Sequence, residues 1–192
     1  SISTIDGRLA SNAYQVGNKI YAVHNTSLNG NAALSVLVVD ETTNQLIQEI
    51  VLGDPDFDYF NASIAANSFG DIVVGFTRSG FFDDGNLSAV ALVGHTSGGV
   101  ISFGDPLLLQ AGLVDNYHFA NGRWGDYTST VVDPDNPFVF WTFQQYALAS
   151  DLWATQISQI IVPEPSGLML AAICSALLAA ALRHRRVSRR AV

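Results

Sequence analysis

Apolar residues in this chain recur in short alternating runs. A first group comprises Gly17–Asn25 (GNKIYAVHN), Ala33–Asp40 (ALSVLVVD) and Gln45–Leu52 (QLIQEIVL). A second comprises Gly70–Thr77 (GDIVVGFT), Asn86–His95 (NLSAVALVGH) and Val100–Gln110 (VISFGDPLLLQ). A third comprises Pro137–Phe143 (PFVFWTF) and Leu152–Val162 (LWATQISQIIV), with no further run after it. Each group has a lead-in, at Arg8–Gln15, Asn61–Asn67 and Asp126–Asp133. The runs are rich in β-branched and aromatic residues. Turn clusters such as Asn29-Gly30, Asp83-Asp84-Gly85-Asn86 and Asp133-Pro134-Asp135-Asn136-Pro137 separate them. These are strand and turn signals, and the body carries no sustained 3.6-residue pattern.

The groups also repeat. Ile20 to Ile72 is 52 residues and Ile72 to Phe138 is 66. Four short strands per unit at this spacing predict an all-β chain. The expected form is a partial β-propeller of about three blades, each a four-stranded antiparallel sheet. The units run over about residues 5–54, 55–114 and 115–161. An all-β sandwich is the alternative; it explains the strands but not the repetition. The third unit stops after three strands, and a ring takes typically 4–8 blades. The body therefore reads as the last part of a larger propeller.

Charge changes the picture at one end. The chain has 192 residues, 17 acidic and 9 basic side chains and a formal charge of −8. Only 14% of residues are charged, against about 25% in an average soluble domain, which argues against a charged disordered chain. The acidic balance argues against nucleic acid as a partner. Five of the nine basic residues are Arg183, Arg185, Arg186, Arg189 and Arg190. Residues 1–162 hold four basic and sixteen acidic side chains, a balance of −12. The chain is an acidic body with a basic tail.

Just before those arginines, residues 167–182 (GLMLAAICSALLAAAL) carry no charge. A helix of that length spans about 24 Å, close to the roughly 30 Å hydrocarbon core, so a transmembrane helix is expected. Pro163 and Pro165 forbid helix before it. The basic tail, 183–190, places the arginines inside and the acidic body outside by the positive-inside rule. Cys174 lies within the helix, where it reads as a small apolar residue.

The order of these parts resembles the PEP-CTERM sorting signal. Pro163, Glu164 and Pro165 match its tripeptide, 167–182 its helix and Arg183–Arg190 its basic end, within a match over 162–192. The resemblance implies a Gram-negative envelope protein with a signal peptide, processed by an exosortase and delivered to the surface or the extracellular polymer matrix. A plain single-span anchor would have the same topology without release. Residues 1–8 (SISTIDGR) lack a basic start and an apolar core, and the chain has no initiator Met. The expectation is a C-terminal fragment.

A second resemblance lies in the third unit. Asn121–Pro134 (NGRWGDYTSTVVDP), Phe140–Tyr146 (FWTFQQY) and Trp153–Ile157 (WATQI) are similar to an RWGDY–VDP–FW–EY–W–T–I pattern. That pattern occurs in exported bacterial proteins with sialidase-like propeller repeats. Gln145 stands where the pattern has Glu. The resemblance implies a search for three arginines that grip a carboxylate, and Arg8, Arg78 and Arg123 fall one per unit. No Ser-x-Asp-x-Gly-x-x-Trp box is present, and Glu41 and Glu49 are the only glutamates of the body. No catalytic residue is assigned.

The candidate ligand-binding residues are Arg8, Arg78, Arg123, Trp124, Asp126 and Tyr127. The structural alternative has Arg123 and Asp126 pinning a loop while Trp124 and Tyr127 pack between blades. Tyr59, Phe60, Tyr117 and Phe119 are further aromatics able to stack on a sugar. Weak calcium candidates are Asp54, Asp56, Asp58, Asp83, Asp84, Asp133 and Asp135, since calcium takes 6–8 oxygens; turn formation explains the same residues. His24, His95, His118 and His184 show no zinc spacing. Asn25, Asn61 and Asn86 head N-x-S/T triplets that carry little weight in a bacterial setting. The expected role is a non-catalytic binding or structural module at the cell surface or in the matrix. Its expected partners are an exosortase, the membrane and extracellular polysaccharide, with no cofactor beyond a structural calcium. The alternative is a fragment of a secreted sialidase-like glycoside hydrolase.

Overall fold

The computed structural model describes residues 9, 11–80, 87–114, 124 and 127–164. The chain divides into two compact units, 1–162 and 163–192. Of the second, only Pro163 and Glu164 are described. No helix long and apolar enough to cross a membrane occurs among the described residues, and the segment 167–182 lies outside them.

The first unit is all-β, with three antiparallel sheets. The first sheet is a meander of β1 (Tyr14–Val16), β2 (Lys19–Leu28), β3 (Asn31–Asp40) and β4 (Gln45–Leu52). The second contains β5 (Phe57–Ala66), β6 (Asp71–Gly80), β7 (Ser88–Ser97), β8 (Val100–Phe103) and β9 (Leu107–Gln110). The third contains β10 (Ser129–Val132), β11 (Val139–Ala149) and β12 (Leu152–Ile161). The three sheets correspond to the three sequence units, and among the described residues the third has three strands, as the sequence predicts. Among the described residues the sheets do not close into a ring.

Local chemistry sets the joints. Asn29 and Gly30 both have positive φ, 53° and 95°, so the β2–β3 hairpin turns in the sense that matches strand twist. Gly98 and Gly99 do the same between β7 and β8, at 58° and 84°. Two expectations need correction. The first lead-in is only Tyr14–Val16 rather than Arg8–Gln15 within the described residues. The run Val100–Gln110 is two strands, β8 and β9, both paired with β7. The Gly104 N–H makes the last bond of the β7–β8 ladder, to Val93 O at 3.0 Å, and Pro106 has no N–H to continue it, so the run breaks at Gly104-Asp105-Pro106.

Strand alternation assigns the faces. Tyr21, Val23, Leu34, Val36 and Val38 of the first sheet meet Ile64, Ile72, Val74, Phe76 and Leu92 of the second in one apolar core. The opposite face of the second sheet presents Ala65, Val73 and Ala91 to Phe140 and Ile160 of the third. The middle sheet is thus covered on both sides. Inter-sheet approaches concentrate on β5, with β2 and β3 on one side and β10 on the other.

Candidate functional site

The first strands of the three sheets come together. Ser11, Asn12, Ala13 and Tyr14 lead into and begin β1; Ser63 and Ile64 lie on β5; Thr128 to Val131 lead into and form most of β10. Between them is a cavity of about 170 Å³. A water occupies about 30 Å³ of liquid, so roughly five waters, or one small polar ring, would fill it. No charged side chain is among the described residues that line it. The lining is hydroxyl, amide, one phenol ring and aliphatic groups. Ser11 Oγ is buried and has no hydrogen-bond partner among the described residues.

A saturated polar cluster reaches this cavity through Ser63, Thr128 and Thr130. Gln144, fully buried on β11, donates from Nε2 to Ser63 Oγ at 3.1 Å and to Thr142 Oγ1 at 2.8 Å. Its Oε1 accepts from Thr128 Oγ1 at 2.6 Å. Ser63 Oγ also bonds Thr128 Oγ1 at 3.0 Å and Thr130 Oγ1 at 2.8 Å, and Thr130 bonds Thr142 at 3.0 Å. Each hydroxyl therefore has at least two partners, which is what buried polar groups require. Gly75, paired with Ser63 across β5 and β6, makes room: a Cβ there would run into Thr142 Oγ1 and the Gln144 amide. Threonines and a glutamine on alternating strand positions read as solvent-facing in the sequence, so this cluster was not legible there.

The sequence candidates are distributed elsewhere. Arg78 lies near the end of β6, opposite Tyr59, with its guanidinium 4.1 Å over the Phe57 ring. It does not line the cavity. Arg8, Arg123 and Asp126 lie outside the described residues, as do Tyr117 and Phe119. Trp124 is a correction as a ligand-stacking residue. It is 1% exposed, packs with Phe60, Leu87 and Ala147, and its indole N–H reaches Thr77 Oγ1 at 3.3 Å. Tyr59 and Phe60 are buried too and cannot stack on a ligand. Burial pushes the Tyr59 phenol up to about 12; the Asp54 carboxylate adds to the rise and Arg78 opposes it. Tyr127 behaves in the opposite way to the packing expectation: it is 84% exposed.

No family model, curated protein or solved structure matches the chain.

The acidic loops make turns. Asp54 Oδ1 accepts from the Asp56 N–H at 2.8 Å within its turn, whereas Asp58, on β5, accepts at Oδ1 from the Ala32 N–H of β3 at 2.7 Å. Asp133 Oδ1 accepts from the N–H groups of Asp135 and Asn136 at 2.9 and 3.2 Å, while Oδ2 takes the Trp141 indole N–H at 2.8 Å. That indole bond, followed by the Asp135 N–H, holds the Asp133 carboxyl below its ordinary value. Among the described residues no three His, Cys, Asp or Glu side chains converge as a metal site. Asp83 and Asp84 lie outside them.

One pair was missed in the sequence. Asp71, buried at the start of β6, accepts from Asn67 Nδ2 at 2.8 Å, and its Oδ1 lies 2.7 Å from His95 Nδ1. Their cross-strand register joins them, and 24 residues separate them in sequence. Ser102 stands opposite His95 in the register of β7 and β8. Asn25 and Asn61 are buried and linked through Asn25 Oδ1 and the Asn61 N–H at 3.2 Å, so neither presents a glycan acceptor. Asn86, His118, His184 and Cys174 lie outside the described residues. Pro163 and Glu164 follow Val162, the residue after β12; Pro165 and Arg183, Arg185, Arg186, Arg189 and Arg190 lie outside the described residues.

Proposed function

We propose that this chain is an exported, surface- or matrix-located binding module made of propeller-type blades. Its ligand is a neutral hydroxylated group such as one residue of an extracellular polysaccharide. The observation that carries the reading is the cavity between β1, β5 and β10. It is polar and uncharged, and Ser11 Oγ there lacks a partner among the described residues. Hydroxyl and amide groups beside an aromatic ring match the mixed polar and apolar faces of a sugar. Its size suits one ring rather than a chain.

Three observations support the blade reading. Each sheet is built of strands consecutive in sequence, the sheets stack face to face, and their first strands meet. A sandwich has two sheets, and here a third covers the free face of the second. The glycosidase alternative needs arginines converging beside a carboxylate. Arg78 instead stacks on Phe57, away from the cavity.

Export rests on the tail. The ordered tripeptide Pro163-Glu164-Pro165, apolar segment 167–182 and arginine cluster support sorting by an exosortase-type enzyme. The division of the chain after Val162 is consistent with a body followed by a separable address. Calorimetric titration with neutral and uronic-acid oligosaccharides tests the ligand class. Heat with the neutral series that is lost in Ser63→Val supports it; binding only to the acidic series overturns it. Mass spectrometry of the protein recovered from an exosortase-bearing host tests the sorting. A product ending near Pro165 supports cleavage, and a retained apolar segment contradicts it.

A further inference from the structure

The protons of the polar cluster beside the cavity can be assigned one by one. Thr128 Oγ1 lies 2.6 Å from Gln144 Oε1, which only accepts, so its single proton goes there rather than to Phe143 O at 3.3 Å. Ser63 Oγ, 3.0 Å from Thr128 Oγ1, must then be the donor of that pair. With the Ser63 proton spent, Thr130 donates to Ser63 at 2.8 Å. With the Thr130 proton spent, Thr142 donates to Thr130 at 3.0 Å rather than to Ser129 O at 3.5 Å. The two amide protons of Gln144 go to Ser63 and Thr142. Every proton of the cluster is used, and every short contact has one. The opposite orientation of the Gln144 amide fails this count. Its oxygen would take the protons of Ser63 and Thr142, Thr130 would have one proton for two neighbours, and one amide proton would have no acceptor.

The donors therefore run one way, from Thr142 to Thr130, Ser63, Thr128 and Gln144. Ser63 gives one proton and accepts two, so it is full. Thr128 and Thr130, which also line the cavity, each accept one bond within the cluster and have an acceptor position left, with no proton to offer. Ser129 is exposed and, one residue from Thr130, points to the opposite face of β10. On the β1 side the lining includes Ser11, whose buried Oγ has no partner among the described residues and keeps a proton to give. We propose that the site selects its ligand by a free ring hydroxyl that donates to Thr128 or Thr130, with Ser11 serving an acceptor oxygen of the same ring. This rests on the sugar reading above and names the group that is read. Thr128 and Thr130 determine specificity; Ser63 and Gln144 position them by taking up their protons. A group without a proton, such as an ether or a carboxylate, would meet oxygen against oxygen there.

The test is calorimetric titration of the full chain with the methyl glycosides of glucose, mannose and galactose. Each is compared with its monodeoxyfluoro and monodeoxyamino forms, position by position. Fluorine keeps the size and polarity of a hydroxyl but donates nothing, whereas an amino group donates. At one ring position fluorination should lower affinity at least about tenfold while the amino form stays within about threefold of the parent, because the loss leaves a desolvated acceptor unpaired. Fluorinated forms that all bind within about twofold of the parent glycoside overturn the proposal. Thr128→Ser should keep the discrimination, and Thr128→Val or Thr130→Val should reduce it to about threefold or less. Discrimination that survives both valine variants overturns the assignment of the acceptors. Neutron diffraction from deuterium-exchanged crystals reads the cluster without any sugar. Deuterons on Thr128 directed at Gln144 and on Ser63 directed at Thr128 are expected. A deuteron aimed into the cavity from Thr128 or Thr130 sinks the acceptor wall alone. Binding of none of the glycosides, with the deuterons as expected, sinks the sugar reading and the selection that rests on it.

Discussion

The middle sheet meets a neighbour on each side, and the two contacts are built from different materials. Toward the first sheet, Ile64, Ile72, Val74, Phe76 and Leu92 pack on Tyr21, Val23, Leu34, Val36 and Val38, with the Tyr59 and Phe76 rings 4.6 Å apart. Toward the third, an apolar patch of Ala65, Val73, Ala91, Phe140 and Ile160 gives way to the cluster of Ser63, Thr128, Thr130, Thr142 and Gln144 over Gly75. The apolar contact is non-directional and tolerates conservative exchange. The polar one is directional, because each group in it depends on the position of the others. The same β-sheet geometry thus carries one interface that gives cohesion and one that fixes alignment, and the aligned one borders the cavity.

The largest effect should come from the apolar side. Phe76→Ala removes a fully buried ring and should cost about 3–5 kcal/mol, read by urea unfolding. Loss of less than about 1 kcal/mol would mean the two sheets are not held by this core. Next is Gly75→Ala on the polar side. Its added methyl meets Thr142 and Gln144 and should cost about 1–3 kcal/mol, although alanine is the better residue elsewhere in a strand.

Gln144→Leu comes third, at about 1–3 kcal/mol, since it takes one buried hydrogen bond each from Ser63, Thr128 and Thr142. Thr142→Val combined with Gln144→Leu should cost less than the sum of the two, because the groups act as one network. Additive costs would reduce the cluster to separate pairs.

The smallest effect is one of pH. The folded Tyr59 phenol ionises near 12 rather than at the ordinary 10.0, so the folded state holds this proton more tightly than the unfolded one. Its contribution to stability is complete below pH 10 and is lost as pH rises through 12. Tyr59→Phe should flatten the fall in thermal stability over that window, and an unchanged profile would assign the alkaline loss to other groups.

These contrasts mirror what the sequence made legible. The strands of the first sheet were readable because GNKIYAVHN and ALSVLVVD alternate and Asn29-Gly30 names its turn locally. Repeat spacing made the three-sheet organisation readable for the same reason. The polar interface was not readable, because Thr130, Thr142 and Gln144 look like the wet face of a strand until Ser63 and Gly75 are placed opposite them, more than 60 residues earlier. Burial of Tyr59, Phe60 and Trp124 was equally hidden, since an aromatic at a strand end or in a loop has no period to show which way it faces. Asp71 and His95 meet only through register. Of the site, the sequence offered aromatic and arginine candidates, whereas the polar lining of the cavity is serines, threonines and an asparagine that no motif marks, beside Tyr14.

The account turns on that cavity, and backbone NMR of the folded chain titrated with a neutral oligosaccharide tests it most directly. Shift changes should cluster on Ser11, Asn12, Tyr14, Ser63 and Thr128 to Val131, and should disappear in Ser63→Val while the apolar core resonances of Val36 and Val74 stay in place. Changes confined to the Asp71–His95 end of the sheets, or none at saturating ligand, would contradict a neutral-sugar site between the first strands.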